Sequence, residues 1–199
     1  MTLDAVFRSA LRERVQPFLK QSGFSKKHST FMRMKPEVVH LVSVQKGRKS
    51  TAGEISIAVN LGVASVRLLR RSERDPLATT IEECQWRRRL TGESKEEPWW
   101  TLRDLRSAQT VSDEVAAALR VCGLPILDEL STDAALRDLW LSGQSPGLTD
   151  VQRLLNLSVI LREIGPIDEA KNVLQSLKKT AESTALPVVL NYLQEVGEV

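Results

Sequence analysis

The sequence predicts an α+β fold: an N-terminal helix packed on an antiparallel β-meander, then closing helices and an α-helical C-terminal extension. Three observations carry this. Residues 54–63 place Ile55, Ile57, Val59, Leu61 and Val63 on one side and Glu54, Ser56, Ala58, Asn60 and Gly62 on the other. Such a period of two marks a strand with one apolar and one small, polar face. Leu3 to Gln21 instead repeats its apolar residues at helical spacing (Val6, Phe7, Ala10, Leu11, Val15, Phe18, Leu19), as a helix lying on a sheet requires. Beyond about Ser131 every apolar pattern is helical.

Taken in order, Thr2 is the expected N-cap of the first helix. Pro17 should kink or tighten its last turn, and Gly23 suits its exit. Phe24-Ser25-Lys26-Lys27 and Thr30-Phe31-Met32-Arg33-Met34 flank His28-Ser29 and predict a hairpin. Val38 to Gln45, rich in β-branched residues, is the next strand, and the polar, glycine-bearing run Lys46 to Gly53 turns the chain into the strand at 54–63. Ala64 to Arg71 fits either a short helix or a continuation of that strand. Cys84 to Leu90 is the expected last strand, and a polar loop from Thr91 to Pro98 precedes Trp99-Trp100-Thr101-Leu102.

Ser112, followed by Asp113 and Glu114, is the expected cap of a helix running to Cys122 and ended by Gly123. Leu124-Pro125 opens another helical segment, since proline is tolerated in a first turn. Further helices are expected from Thr132 to Ser142, from a cap at Thr149 to Gly165, from Pro166 to about Ser183, and from Leu186 to Glu195. Ser145-Pro146-Gly147 breaks the chain between the first two of these. The domain organisation is thus an α+β domain over residues 1–130 and a helical extension over 131–199.

The chain has 199 residues, 42% hydrophobic and 27% charged, the composition of a soluble globular protein. No apolar run approaches the roughly 18 residues of a membrane span, and residues 1–6 carry neither the basic nor the apolar region of a secretory signal. Cys84 and Cys122 stand alone, outside any ligand cluster. Isolated cysteines fit reduced thiols and a cytoplasmic location. Charge is uneven. Residues 1–110 hold 21 Lys/Arg against 12 Asp/Glu (+9), and residues 111–199 hold 7 against 13 (−6). The two parts either dock on one another or leave a basic surface for nucleic acid or an acidic protein.

Two resemblances add to this reading. Leu154, Leu157, Leu161, Gly165, Ala170, Leu174 and Leu177 make residues 154–177 similar to a single tetratricopeptide unit, with Leu154 in place of that motif's tryptophan and Ser158 in place of its glycine. One unit makes no solenoid, so a helical hairpin docking on the domain is expected. Several short pieces also occur in a fixed order: Phe24-Ser25-Lys26-Lys27 with Thr30-Phe31, then Val44-Gln45-Lys46, Val59 to Val63, Glu83 to Leu90, and Trp99-Trp100. In that order they resemble the bacterial family catalogued as domain of unknown function 4304, over about residues 3–130. The resemblance implies the fold boundary and similar residues at Gln45, Asn60, Arg87, Arg89 and the tryptophan pair; it implies no mechanism.

Those residues are the candidate site. Gln45 and Asn60, if on adjacent strands, bring two amides to one ligand, each with two donors and an acceptor; alternatively they satisfy loop backbone at the sheet edge. Arg87 and Arg89 share a face opposite Arg88, suited to a carboxylate or phosphate or to protecting an edge strand. Trp99 and Trp100 point to opposite faces, one into the core and one outward, or else both pack under the loop at 91–98. His28 and His40 lack the neighbours of a triad or zinc site. No phosphate loop, paired-carboxylate motif, metal cluster or cofactor motif is present. Three functions therefore stand: a non-enzymatic module binding a protein partner, in regulation or toxin neutralisation; a nucleic-acid-binding protein using the basic half; and an enzyme acting on a small anionic substrate at the polar sheet face.

Overall fold

The computed structural model describes residues 2–91, 99–184 and 187–195. Its centre is an antiparallel sheet of β1 (Ser25–Lys27), β2 (Thr30–Met34), β3 (Val38–Lys46), β4 (Ile55–Ser65), β5 (Trp86–Arg89) and β6 (Trp100–Leu102). The first five follow one another in space, and β6 also pairs with β4. The long alternating strand forms as its period requires. Ile55, Ile57, Val59, Leu61 and Val63 are all at most 1% exposed, each such burial being worth roughly 1.5–3 kcal/mol.

β5 pairs with residues 60–63 of β4 and β6 with residues 55–57, so the two lie end to end along one edge. The strand expected at Cys84 to Leu90 thus exists but is not the last. The intervening loop falls, from residue 92 to 98, outside the described residues.

The opening helix forms in three pieces: α1 (Leu3–Ala10), a π-helical turn (Leu11–Val15) and α2 (Gln16–Gln21). Thr2 caps it, its hydroxyl accepting from the Ala5 N–H at 3.3 Å. The wide turn follows from Pro17, whose ring would press on the carbonyl four residues back and which has no N–H to offer. A π turn relieves that crowding, with Gln16 N–H donating to the Leu11 carbonyl five residues back. Pro125 repeats the device. α4 (Leu105–Ala118) passes through a π turn (Leu119–Gly123) into α5 (Leu124–Glu129), and Leu124 N–H reaches the Leu119 carbonyl.

This second helix corrects the expected boundaries. It begins at Asp104, whose carboxylate accepts from Ser107 N–H at 2.7 Å while Ser107 Oγ accepts from Asp104 N–H at 2.9 Å. A reciprocal cap of this kind satisfies two orphan donors at once. Ser112 is fully buried mid-helix, not a cap. Gly123 does not end the helix either; it serves close packing, since a Cβ there would lie 3.1 Å from both Leu119 and Leu90 side chains.

Helices α1, α2, α4 and α5 share one hydrophobic core with the odd-numbered face of β4. α6 (Asp133–Leu141), α7 (Asp150–Ile164), α8 (Ile167–Thr184) and α9 (Pro187–Glu195) extend that core through Leu136, Trp140, Ile160, Leu177 and Val189. α7 and α8 form a helical hairpin, and Ser158 Oγ donates to Tyr192 Oη at 2.9 Å across to α9. Ion pairs span the basic and acidic halves: Arg14–Asp113 at 3.0 Å, Arg33–Asp128 at 2.5 Å, Arg67–Asp133 at 3.0 Å, Arg67–Glu163 and Arg71–Glu195.

The opposite sheet face, small and polar in the sequence, is half covered. Ser65 ends β4 and caps α3 (Val66–Arg71), so the segment after residue 64 is one residue of strand and then a helix. α3 and the short turn at Ile81–Glu83 enclose a second cluster of Val39, Leu41, Ala64, Val66, Leu69 and Cys84. Cys84 and Ile81 pack so closely on Gly62 that a Cβ there would lie 2.6 Å from each. Gly62 and Ala64 are small, and their smallness admits a covering layer. The uncovered half carries Ser43, Gln45, Ser56 and Asn60.

Candidate functional site

Register builds the uncovered half. Asn60 lies opposite Ser43 on β3 and Arg89 on β5, while Gln45 lies opposite Ala58 and Arg87 opposite Gly62. Directly opposed residues of an antiparallel pair share a face, so Gln45, Asn60, Arg87 and Arg89 all project from it. The two amides meet as diagonal neighbours, Asn60 Nδ2 donating to Gln45 Oε1 at 3.1 Å. Asn60 therefore keeps its carbonyl and one N–H, and Gln45 keeps both of its N–H donors, for solvent or a ligand. These residues, with Ile81, Glu82 and Arg88, line a shallow depression of about 240 Å³.

The two arginines differ. Arg87 donates to the Glu82 carbonyl at 3.1 Å and to the Gly147 carbonyl, and its own N–H donates to the Pro146 carbonyl at 2.9 Å. It pins the 145–147 turn over the free edge of β5. Gly147 has φ +85° and leaves no room for a Cβ beside the Arg87 side chain. The expected two-arginine anion face thus reduces to Arg89, whose guanidinium lies 4.8 Å from the ring centroid of Trp99. Arginine over indole is the favoured cation–π geometry. The tryptophans divide as alternation predicts: Trp100 packs on the main core, and Trp99 stays with Arg89 and Gly47 on the other face.

Other polar groups have structural work. Arg33 and His40 are register partners on β2 and β3, facing the main core. His40 Nδ1 accepts from Arg33 Nη2 at 3.0 Å, and its Nε2–H donates to the Leu130 carbonyl at 3.1 Å. Burial, with the adjacent Arg33 charge adding to it, pushes His40 down to about 4. Arg33 also pairs with Asp128, so this cluster fastens the end of α5 to the sheet. Burial likewise raises the Cys84 thiol far above its ordinary range, and Cys84 and Cys122 are both unpaired. Among the described residues no group of His, Cys, Asp and Glu could hold a metal, and no helix is long and apolar enough to cross a membrane.

A larger groove of about 890 Å³ lies on the other side of the sheet, between α1 and the β1–β2 hairpin. Sequence reasoning missed it, because Arg8 and Arg12 on a helix and Lys26 on a hairpin share no linear motif. The i,i+4 spacing of the two arginines was the available signal.

No curated protein and no solved structure matches the chain. The pieces whose order suggested a family now occupy β1 through β6 and the strand face between them, and residues 15–129 match the family model described as domain of unknown function (DUF4304); the chain belongs to that family.

Proposed function

We propose that the protein is a non-enzymatic binding module of the bacterial cytoplasm that recognises a partner protein on the uncovered half of the sheet, in a regulatory or toxin-neutralising role. The observation that carries this is Arg89 stacked on Trp99 beside the paired amides of Gln45 and Asn60. Arginine and tryptophan dominate the energetics of protein interfaces, and amides add directional bonds to a partner's backbone. A depression of about 240 Å³ falls below the 300–1,000 Å³ usual for small-molecule pockets, which favours a broad partner over a small substrate. Arg14, Arg33, Arg67 and Arg71 are spent on pairs within the chain, which leaves less charge for a phosphate backbone. The two unpaired cysteines fit a reducing compartment.

A photo-crosslinking residue at Gln45, irradiated in the host, tests the reading. One discrete protein adduct is expected. Arg89→Ala and Trp99→Ala should each weaken the complex more than about 30-fold, the scale of an interface hot spot, with circular dichroism unchanged. No adduct, or an adduct indifferent to both substitutions, would overturn it.

A further inference from the structure

We infer that the groove between α1 and the β1–β2 hairpin binds an amphiphilic anion, a carbon chain or ring body bearing a carboxylate or phosphate head. Alternation along β3 separates this site from the first: Gln45 faces the polar depression, and the next residue, Lys46, faces the groove. The inference does not rest on the proposed partner surface.

The floor is apolar. Phe7 of α1 and Leu11 of the π turn that follows it meet Phe31 of β2 and Val44 of β3, each 9% exposed or less. The rim is cationic, with Arg8 and Arg12 from the helix and Lys26 and Lys46 from the strands. Asp4 supplies the acid among the lining residues. It is bound by Lys46 at 3.2 Å and by Arg8, and these bonds, the Lys46 one foremost, hold its carboxyl below the ordinary range. Lys26 Nζ donates to the neutral Gln16 Oε1 at 3.2 Å and lies 5.5 Å from the Phe31 ring. Arg12 donates to the Ser9 hydroxyl at 3.3 Å. Glu13 sits outside the groove, its carboxylate accepting a hydrogen bond from the Ser9 hydroxyl at 2.7 Å.

Four cations therefore converge against one acid that is already engaged. Like charges gathered around a low-dielectric wall focus a positive potential, which an anion relieves. An apolar floor adds nothing for a small hydrated anion, because it offers carbon contacts in place of hydrogen bonds. Its complement is a body with carbon surface, and the volume lies within the range of small-molecule sites. Charge selects the head and the floor selects the body.

The test titrates the full chain with dodecyl phosphate below its micellar concentration, beside inorganic phosphate and dodecyltrimethylammonium. Saturable one-to-one binding of dodecyl phosphate is expected, with inorganic phosphate and the cationic amphiphile each at least about tenfold weaker. The double substitution Arg12→Glu with Lys26→Glu should weaken dodecyl phosphate by about tenfold or more. Both side chains are exposed, and an unchanged thermal midpoint would confirm the fold. Equal binding of the two amphiphiles, or indifference to the double substitution, would overturn the inference. Vesicles distinguish the source of the head. Binding to phosphatidylglycerol but not phosphatidylcholine vesicles, in addition to dodecyl phosphate, identifies a bilayer lipid. Vesicle binding without saturable dodecyl phosphate binding reports surface charge alone and overturns the site.

Discussion

His40 stands in an environment that its neighbours in the chain do not suggest. In sequence it stands between Val39 and Leu41 with no partner in view; in the sheet it receives Arg33 from the adjacent strand. Protonating its Nδ1 would abolish that bond and set two positive charges together in the core. The pH dependence follows. The unfolded ring takes its proton near 6.5 and the folded ring only near 4, so between those values the unfolded chain binds more protons. The stabilisation is whole above about 6.5 and is lost as pH falls toward 4. That gap corresponds to roughly 3 kcal/mol. Urea unfolding at pH 7 and pH 4.5 should show this loss in the wild type and a much flatter slope in His40→Gln, whose amide can still accept from Arg33. Equal slopes would mean that His40 is not the titrating group. At this scale the candidate residues were readable, and their division of labour was not. Nothing in Arg87-Arg88-Arg89 tells that Arg87 holds two carbonyls while Arg89 stays on Trp99, because the carbonyls come from residues 82 and 147.

Helices and strands were largely legible, because each is set by a period within its own residues. Misreadings occurred where two local signals competed. Ser112-Asp113-Glu114 resembles a helix start, yet the reciprocal cap of Asp104 and Ser107 begins the helix earlier. Gly123 resembles a stop, yet it fills a tight contact and the helix continues across Pro125 through a π turn. Between elements, α3 ties the sheet domain to the C-terminal helices. Arg67 reaches Asp133 at the start of α6 and Glu163 near the end of α7, beyond the stretch matched by the family model. Asp133 is 1% exposed, so removing its cation strands a buried carboxylate. Arg67→Ala should destabilise the protein by about 2 kcal/mol, less than a fully buried pair because a third of Arg67 meets solvent. Hydrogen exchange should rise first at the amides of α6 and α7. Unchanged protection there would show that apolar packing alone holds these helices.

For the molecule as a whole, the main cluster runs without interruption from Val6 in the first helix to Leu193 in the last. A single core predicts a single cooperative transition. Calorimetry on the full chain should give one peak with calorimetric and van't Hoff enthalpies in agreement; two resolved transitions would show that the helices after residue 130 unfold apart. The charge asymmetry gains its meaning here too, since pairs such as Arg14–Asp113 and Arg33–Asp128 join basic and acidic halves. Repeating periods and caps settled, within the chain itself, that residues 54–63 form a strand and that the C-terminal third is helical, because these depend on neighbours at most four positions away. Which strand face stays bare, which arginine remains free, and where cations from a helix and a hairpin converge depend on groups brought together from distant positions. Only packing creates those adjacencies, so the depression beside Asn60 and the groove beneath α1 became visible in the folded chain alone.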